Sequence, residues 1–110
     1  MPASCRPGDL VLLAFSYSGA TESKRRPALV VFDAGDDDVV VVRVTSQPSQ
    51  GPFDLSLSDW RQAGLLLPSV ARLGKIATLE KRLVERRLGG LAAADWQKAQ
   101  SILRRILAQT

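Results

Sequence analysis

The stretch PALVVFDAGDDDVVVVRV, residues 27–44, decides the fold of this chain. Its two ends, ALVVF at 28–32 and VVVVRV at 39–44, are rich in the β-branched and apolar residues that favour extended strands. Between them, AGDDD at 34–38 combines a glycine with aspartates, a composition typical of turns. Two strands joined by a short turn form a hairpin, so the stretch predicts an antiparallel sheet.

Further strands are predicted on both sides of this hairpin. Residues 10–15 form a short apolar run, which is consistent with a buried strand. Residues 53–57 alternate apolar and polar side chains, as in a strand with one buried face. Residues 70–78 predict a strand that bends at Gly74, and residues 82–88 predict a final short strand.

Two polar loops interrupt these strands, and a helical turn follows the later one. The first loop covers Ser16–Arg25, and the second, TSQPSQGP, covers residues 45–52. Residues 58–63 are typical of a single helical turn, with Ser58 as its cap and Gly64 at its end.

Residues 93–108 predict the one long helix, because their apolar side chains recur at the spacing of a single helix face. No Ser, Thr or Asp stands at Ala92, where a cap is expected, so the pattern defines the start only to within a turn. Several strands followed by one helix predict a single α+β domain over residues 1–110, in which a small antiparallel β-barrel or twisted sheet carries the helix. The apolar helix positions are Trp96, Ala99, Ile102, Leu103, Ile106 and Leu107.

The composition excludes several classes of protein and site. The chain has 110 residues, 45% of them apolar and 24% charged, which is typical of one globular domain. No apolar run approaches the roughly 20 residues that cross a bilayer, and residues 1–9 lack the apolar core of a signal peptide. With Cys5 as its single cysteine the chain forms no internal disulfide, so we expect a protein of the reducing cytoplasm. The absence of histidine removes the commonest general base and the usual catalytic zinc sites.

The charge is distributed unevenly along the chain. Residues 1–60 contain 5 Lys or Arg against 8 Asp or Glu, whereas residues 61–110 contain 10 against 3. A basic half favours a polyanionic partner, nucleic acid first. A basic face that is solvated and has no partner is the alternative.

The two polar loops carry the candidate site residues. An arginine guanidinium donates two parallel hydrogen bonds to phosphate oxygens, and hydroxyl and amide groups add neutral donors to the same oxygens. Such a set suits a phosphodiester whose negative charge grows in the transition state. The alternative is that Arg26 is a surface cation and Thr45 a strand-end residue. The first loop and its end supply Lys24, Arg25 and Arg26, and the second loop supplies Thr45, Ser46 and Gln47.

The acidic residues match a metal site poorly. Asp36, Asp37 and Asp38 are adjacent, so alternate carboxylates point to opposite faces of an extended segment. They are typical of a solvated turn. We therefore expect no metal and no cofactor.

Five segments stand in an order and at a spacing that is recognisable. They are GDLVLLAF from residue 8, KRRPALVV from residue 24, VVVVRVTSQ from residue 39, GPFDLSL from residue 51 and AGLLLPSVARLGKIATLEKRLVERRLGGL from residue 63. Together they resemble the MazF/PemK family, the toxins of type II toxin–antitoxin pairs, from about Gly8 to Leu107. The predicted C-terminal helix lies where the family has one.

This resemblance implies a homodimeric SH3-like β-barrel, similar to MazF, PemK and CcdB, and a metal-independent, sequence-selective endoribonuclease. It implies that the ribose 2′-hydroxyl of single-stranded RNA attacks the adjacent phosphate, giving 2′,3′-cyclic phosphate and 5′-hydroxyl ends. The family's catalytic Arg-Pro arginine corresponds to Arg26 and its strand-end threonine to Thr45. Ser46 and Gln47 correspond to neighbouring positions on the substrate side.

The resemblance also implies partners for the basic surface. We expect Lys24, Arg25 and Lys75 to hold flanking phosphates of the RNA. An antitoxin is implied as well, and an acidic segment that is disordered alone and folds along the basic groove is the simplest inhibitor.

A toxin without catalysis on the same barrel, such as a gyrase poison of the CcdB type, is the alternative function, because fold alone does not separate the two. The pair of Arg26 and Thr45 favours the nuclease, since a gyrase poison has no need of it. A plain RNA-binding module would need aromatic residues for base stacking, and these make up 5% of the chain. Trp60 and Trp96 are predicted to be packing residues.

Overall fold

A computed structural model describes residues 5–16 and 23–110 of the chain. Six strands are followed by one helix, so the predicted class and order of elements are confirmed. No helix in these residues is long and apolar enough to span a bilayer. A turn of 3₁₀ helix, Lys81–Leu83, links the last two strands. The elements are β1 (Asp9–Ser16), β2 (Ser23–Phe32), β3 (Asp38–Thr45), β4 (Asp54–Ser56), β5 (Val70–Glu80), β6 (Val84–Gly90) and α1 (Ala93–Leu107).

The strands form one antiparallel sheet in the order β4-β5-β3-β2-β1-β6. The predicted hairpin is its centre, because β2 pairs with β3 and sets Ala28 opposite Arg43 and Val30 opposite Val41. Among the described strands, β4 and β6 are edges that do not pair with each other. The predicted barrel is therefore an open, barrel-like sheet.

Alternation along the strands gives the sheet two apolar faces. Leu10, Leu29 and Val42 are fully buried on the face that carries α1, where Ala99 and Ile102 of the helix complete a central core. Trp60 and Trp96 pack against this core, as predicted. We call the opposite side the second face; its buried cluster includes Val11, Leu13, Ala28, Val30, Val39, Val41 and Val84.

β2 begins at Ser23, before the predicted start at Pro27. Its antiparallel pairing with β1 extends to the end of that strand. The basic triplet at 24–26 therefore lies on a strand, and the expectation that it ends a loop was wrong. A strand with exposed side chains is as polar as a loop, so polarity alone did not separate the two. Residues 17–22 of the predicted loop lie outside the described residues.

The segment between β4 and β5 starts with the predicted turn, over residues 58–64. Gly64 ends it with a φ of +84°, and a Cβ there would lie 2.1 Å from the carbonyl oxygen of Leu88, so this position requires glycine. The cap differs from the prediction. The Asp59 carboxylate, and not the Ser58 hydroxyl, accepts the N–H of Gln62, at 3.2 Å.

Asp95, in the first turn of α1, holds this turn against the helix. Its buried carboxylate accepts hydrogen bonds from the Ser58 hydroxyl, the Ser58 N–H and the Asp59 N–H, the last at 3.0 Å. Burial raises the pKa of Asp95, but these hydrogen bonds outweigh burial and hold the pKa below its ordinary value. Helical spacing had not singled out this residue, because an aspartate is not expected on an apolar face.

The bend predicted at Gly74 is confirmed. The register of β3 with β5 shifts between the pairs Arg43–Arg72 and Val42–Ile76, which leaves residues 73–75 as a bulge.

The last two elements differ from the prediction in their boundaries. β6 starts at Val84 and not at Arg82, because the 3₁₀ turn occupies the preceding residues. α1 ends at Leu107, and Ala92 makes no side-chain cap hydrogen bond, as predicted. Leu107 itself is 68% exposed, so the apolar face of the helix ends before it.

Candidate functional site

A cleft of about 420 Å³ opens near the start of β2 and the end of β3. We call it the first cleft. Its apolar lining includes Leu12 of β1, Leu88 of β6 and the loop Leu65–Leu67. Its polar lining consists of Arg26, Arg43, Thr45, Ser46, Ser69 and Arg86.

The pairing of β2 with β3 brings Arg26 and Thr45 together. The two strands set Ala28 opposite Arg43, with both side chains on the second face. Arg26 lies two residues before Ala28 on β2 and Thr45 two residues after Arg43 on β3, just beyond this last pair of the ladder, and both residues line the first cleft. Because the two residues line one cleft, a single phosphate group bound there can contact both.

The Thr45 hydroxyl is oriented by the backbone that follows it. Its Oγ1 accepts the N–H of Gln47 at 3.2 Å, a local turn typical of Thr and Ser. Because that bond uses a lone pair of the oxygen, the hydroxyl hydrogen remains able to donate to a ligand in the first cleft. The sequence thus provides a neutral donor beside the arginine.

The fold does not neutralise the arginines of the first cleft. In the described part of the chain, Arg26, Arg43 and Arg86 make neither an ion pair nor a side-chain hydrogen bond. Arg25 is different, because its guanidinium forms a bidentate pair with Glu85 at 2.8–3.1 Å. The hydrogen bonds of this pair raise the pKa of Arg25 and lower the pKa of Glu85.

A second cleft, of about 380 Å³, adjoins the first. Both clefts are lined by Arg26, Pro27, Arg43 and Val44, which therefore form their shared boundary. Lys75, from the bulge of β5, is the further cation among the lining residues of the second cleft. The aliphatic lining of the second cleft consists of Leu13, Ala28, Val41, Val42, Ala77 and Leu79.

The residues predicted for the site fall into two groups. Three of them lie together in the first cleft, and Lys75 lies in the second. The others do not line either cleft, although Gln47 reaches the site through its backbone N–H. Their role in binding stays a prediction. The first group is Arg26, Thr45 and Ser46, and the residues outside both clefts are Lys24, Arg25 and Gln47.

Sequence reasoning missed Arg43 and Arg86. For Arg43 a signal was present, because it interrupts the valine run two residues before Thr45 and so shares the face of that threonine. For Arg86 there was none. It reaches the cleft because β6 pairs with β1, where it stands opposite Leu12, and that pairing is not encoded locally.

The donors of the first cleft suit an anion. Guanidinium and hydroxyl groups donate several hydrogen bonds, and the guanidinium carries a permanent positive charge. Among residues 5–16 and 23–110 there is no cluster of three or more His, Cys, Asp or Glu side chains that could hold a metal ion. The lining of the first cleft is therefore suited to an anionic ligand such as a phosphate group.

Comparison with solved structures shows the same fold in bacterial toxins. An endoribonuclease of a mycobacterial species, in complex with its cognate antitoxin, is 23% identical over 98% of both chains, with a TM-score of 0.73. MazF of Deinococcus radiodurans in a MazE–MazF complex is 22% identical over 98% of both chains, with a TM-score of 0.76. MazF of the same organism in another structure is 26% identical, over 92% of this chain and 94% of that one, with a TM-score of 0.69.

The sequence itself matches a family model. No curated protein sequence matches the chain. The model for the PemK-like, MazF-like toxins of type II toxin–antitoxin systems matches residues 6–107, which includes every element described above. The chain therefore belongs to the MazF/PemK family of type II toxins.

Proposed function

We propose that this toxin is an endoribonuclease that cuts single-stranded RNA, mRNA above all, in the first cleft. The observation that carries the proposal is the meeting of Arg26 and Thr45 in one cleft, with the arginine left unpaired. A mycobacterial protein of the same fold is an endoribonuclease, which agrees with this chemistry. Cytoplasmic mRNA as the substrate also agrees with the reducing compartment expected from the single cysteine.

The reaction is an internal displacement at one phosphate. The ribose 2′-oxygen forms a bond to the adjacent phosphorus, and the bond from phosphorus to the 5′-oxygen of the next nucleotide breaks. The products are a 2′,3′-cyclic phosphate and a 5′-hydroxyl, because the 2′-hydroxyl proton leaves to solvent and the departing oxygen gains one. No water is consumed in this step.

Arg26 has two roles in this reaction. Its guanidinium stabilises the negative charge that grows on the phosphate oxygens, as preorganised donors do in other active sites. It also stands as the proton donor to the departing 5′-oxygen. A departing alkoxide is basic enough to take this proton, but neutral arginine is scarcely populated near neutral pH, so Arg26 is not the group that removes the 2′-hydroxyl proton.

Thr45 and Ser46 support the same phosphate with neutral donors. Both line the first cleft, and the hydroxyl of Thr45 is fixed by the Gln47 N–H at 3.2 Å. A donor that is already oriented stabilises the transition state without reorganisation. The set requires no metal, so we expect cleavage in the presence of a chelator.

The toxin is also proposed to form a homodimer. β4 and β6 are unpaired edges among the described strands, and edges of this kind are normally covered. Large apolar side chains are exposed as well, including Phe32 at 56% and Leu107 at 68%. A second copy would cover both features. Sedimentation at micromolar concentration that gives the mass of one chain would contradict this assembly.

The inhibitor is proposed to be an antitoxin with an acidic, partly disordered C-terminal segment. Unpaired arginines line the first cleft, and Leu66 and Leu67 at its edge are 92% and 59% exposed. A segment rich in Asp and Glu, with spaced Leu, Trp or Phe, fits that combination of charge and apolar surface. It should compete with RNA, and its association should slow as salt is raised. A tight-binding antitoxin that leaves cleavage unchanged would disprove this mode of inhibition.

One experiment tests the enzymatic proposal directly. Purified protein is incubated with a long single-stranded RNA in excess EDTA, and the ends of the fragments are analysed. Cuts at defined sequences with 2′,3′-cyclic phosphate and 5′-hydroxyl ends are expected. Intact RNA over a range of sequences would overturn the proposal and favour a toxin that acts by binding a protein target.

A further inference from the structure

We propose that Arg43 binds the phosphate that neighbours the one cut at Arg26, so that two adjacent phosphates of one strand are held across the boundary of the two clefts. This inference rests on the proposed function and deepens it, because it assigns a second phosphate subsite. Arg43 was not among the residues predicted for the site.

The position of Arg43 is the first argument. Arg26 and Arg43 both line the first and the second cleft, so a strand that passes from one cleft to the other passes both guanidinium groups. The two clefts, of about 420 and 380 Å³, have apolar surface on either side of this boundary. Each can take the base of a nucleotide whose phosphate lies at the boundary.

The spacing of the two arginines is the second argument. Arg43 lies opposite Ala28, and Arg26 is two residues from Ala28 on the same face of β2. The arginines are therefore diagonal neighbours, which lie about 7–8 Å apart on an antiparallel pair. That separation is comparable with the distance between successive phosphates of an extended strand. One guanidinium can thus hold each phosphate.

The surroundings of Arg43 are the third argument. Its register partner on β5 is Arg72, so two like charges stand opposite each other, an arrangement that destabilises a sheet. Asp54 pairs with Arg72, at 3.5 Å, whereas no carboxylate among the described residues pairs with Arg43. An unneutralised arginine beside another arginine does not stabilise the fold, but it is well placed for an external anion.

A binding experiment tests the subsite without requiring cleavage. The wild-type toxin, Arg43→Ala and Arg43→Lys are titrated with a labelled 2′-O-methyl RNA, which cannot be cut, at several salt concentrations. The oligonucleotide spans a mapped cut site or, if the toxin cuts nothing, has a mixed sequence. Arg104→Ala is the matched control, because Arg104 is an exposed arginine of α1 that lines neither cleft.

Loss of one phosphate contact predicts a specific change. The slope of log affinity against log salt should fall by about 0.7 in Arg43→Ala, because one counterion fewer is released from a single strand. Arg43→Lys should keep the slope, since the charge remains. The inference would be overturned if the slope for Arg43→Ala equalled that of the wild type. It would also be overturned if the slope fell no more in Arg43→Ala than in Arg104→Ala. Wild-type protein that binds with this dependence but never cuts would overturn only the nuclease activity.

A modified substrate then tells which phosphate is bound. A neutral methylphosphonate is placed at each phosphate that flanks the cut site, one at a time. Arg43→Ala should weaken binding of the unmodified strand about tenfold. When the methylphosphonate stands at the phosphate that Arg43 contacts, the wild type and Arg43→Ala should bind the modified strand with equal affinity. Equal additional loss at every position would mean that Arg43 raises affinity only through the general field of the surface, and would reject the subsite.

Discussion

Polar groups have hydrogen-bond partners within the protein at one end of the segment 58–67, whereas the arginines at the other end have none among the described residues. At its start, the buried carboxylate of Asp95 accepts three hydrogen bonds from Ser58 and Asp59. At its end, Leu65–Leu67 line the first cleft, in which Arg26 and Arg43 lack a carboxylate partner within the described residues. Polar groups that are satisfied inside the protein stabilise the fold, whereas a cluster of unsatisfied ones in a cleft marks a place for a ligand.

The same contrast shows that the net charge of a segment does not tell which of its cations are available to a ligand. The C-terminal half of the chain is strongly basic, yet several of its arginines are neutralised in the fold. Arg82 pairs with Glu80 at 2.7 Å, and Arg87 pairs with Asp9 at 3.0 Å. The cations that remain unpaired in the clefts, and not the total charge, define the surface that we propose binds RNA.

Adjacent arginines of β2 offer the sharpest test of this contrast. Arg26→Ala should reduce RNA cleavage by about 10³-fold or more, since it removes the main charge stabilising the transition state. Arg25→Ala should cost far less and act mainly on binding, because Glu85 already neutralises Arg25. Rates of cleavage and thermal melts are measured for both variants. A near-normal rate for Arg26→Ala would remove this residue from the catalytic site.

Removal of the neutral donor should have the next largest effect. Thr45→Ala is expected to lower kcat by about 10²-fold, as for loss of one preorganised donor. Thr45→Ser should restore most of the rate, because the hydroxyl can still accept the Gln47 N–H and donate to the phosphate. Single-turnover kinetics on one RNA substrate check both. Equal losses in the two variants would show that the methyl group, and not the hydroxyl, matters.

Asp95→Asn tests the region in which the polar groups are hydrogen-bonded within the protein. The amide cannot accept all three hydrogen bonds, so the free energy of unfolding should fall by about 1–3 kcal/mol. The folded pKa of Asp95 lies below its ordinary value of 3.8. The ionised carboxylate of Asp95 therefore stabilises the fold fully at a pH above this ordinary value. That stabilisation is lost as the pH falls through the folded pKa.

The variant should accordingly be less sensitive to acid than the wild type. Urea denaturation at about pH 7 and about pH 3 measures the difference between the two proteins, which should narrow at the lower pH. A difference that stays constant over this range would mean that the carboxylate charge contributes nothing to the fold.

Removal of the carboxylate that pairs with Arg25 should have the smallest effect, and that effect should be on RNA binding. Glu85→Gln leaves Arg25 without its carboxylate, and Arg25 stands beside Arg26 on β2. RNA binding should tighten by no more than about threefold, because exposed ion pairs contribute little. Fluorescence anisotropy gives the two affinities. Tightening of tenfold or more would show that Glu85 holds Arg25 away from the RNA and that Arg25 belongs to the site.

The sequence predicted most of what is local. The hairpin over residues 27–44 and the bend at Gly74 follow from β-branched runs, a turn cluster and a glycine, each of which acts over a few residues. The helix over 93–107 follows from its spacing of apolar residues.

Features that join distant segments were not predictable in this way. Asp95 contacts Ser58 across 37 positions, and Arg86 reaches the first cleft only through the pairing of β6 with β1. The exposed basic triplet at 24–26 has the composition of a loop, although backbone pairing with β1 makes it a strand. The polar loops supplied Arg26 and Thr45 as candidates, but their joint catalytic role came from the resemblance, because neither strand alone shows that the two side chains line one cleft.

The pairing of β1 with β6 has a consequence for the order in which the toxin forms during synthesis. Asp9 and Arg87, which are joined across these strands, are 78 positions apart. Contacts of such long range form late, because most of the chain must first leave the ribosome. Until β6 emerges, a nascent chain lacks Arg86 and Leu88 and has an incomplete first cleft. The site proposed to cut RNA is thus complete only when translation of this domain is nearly finished.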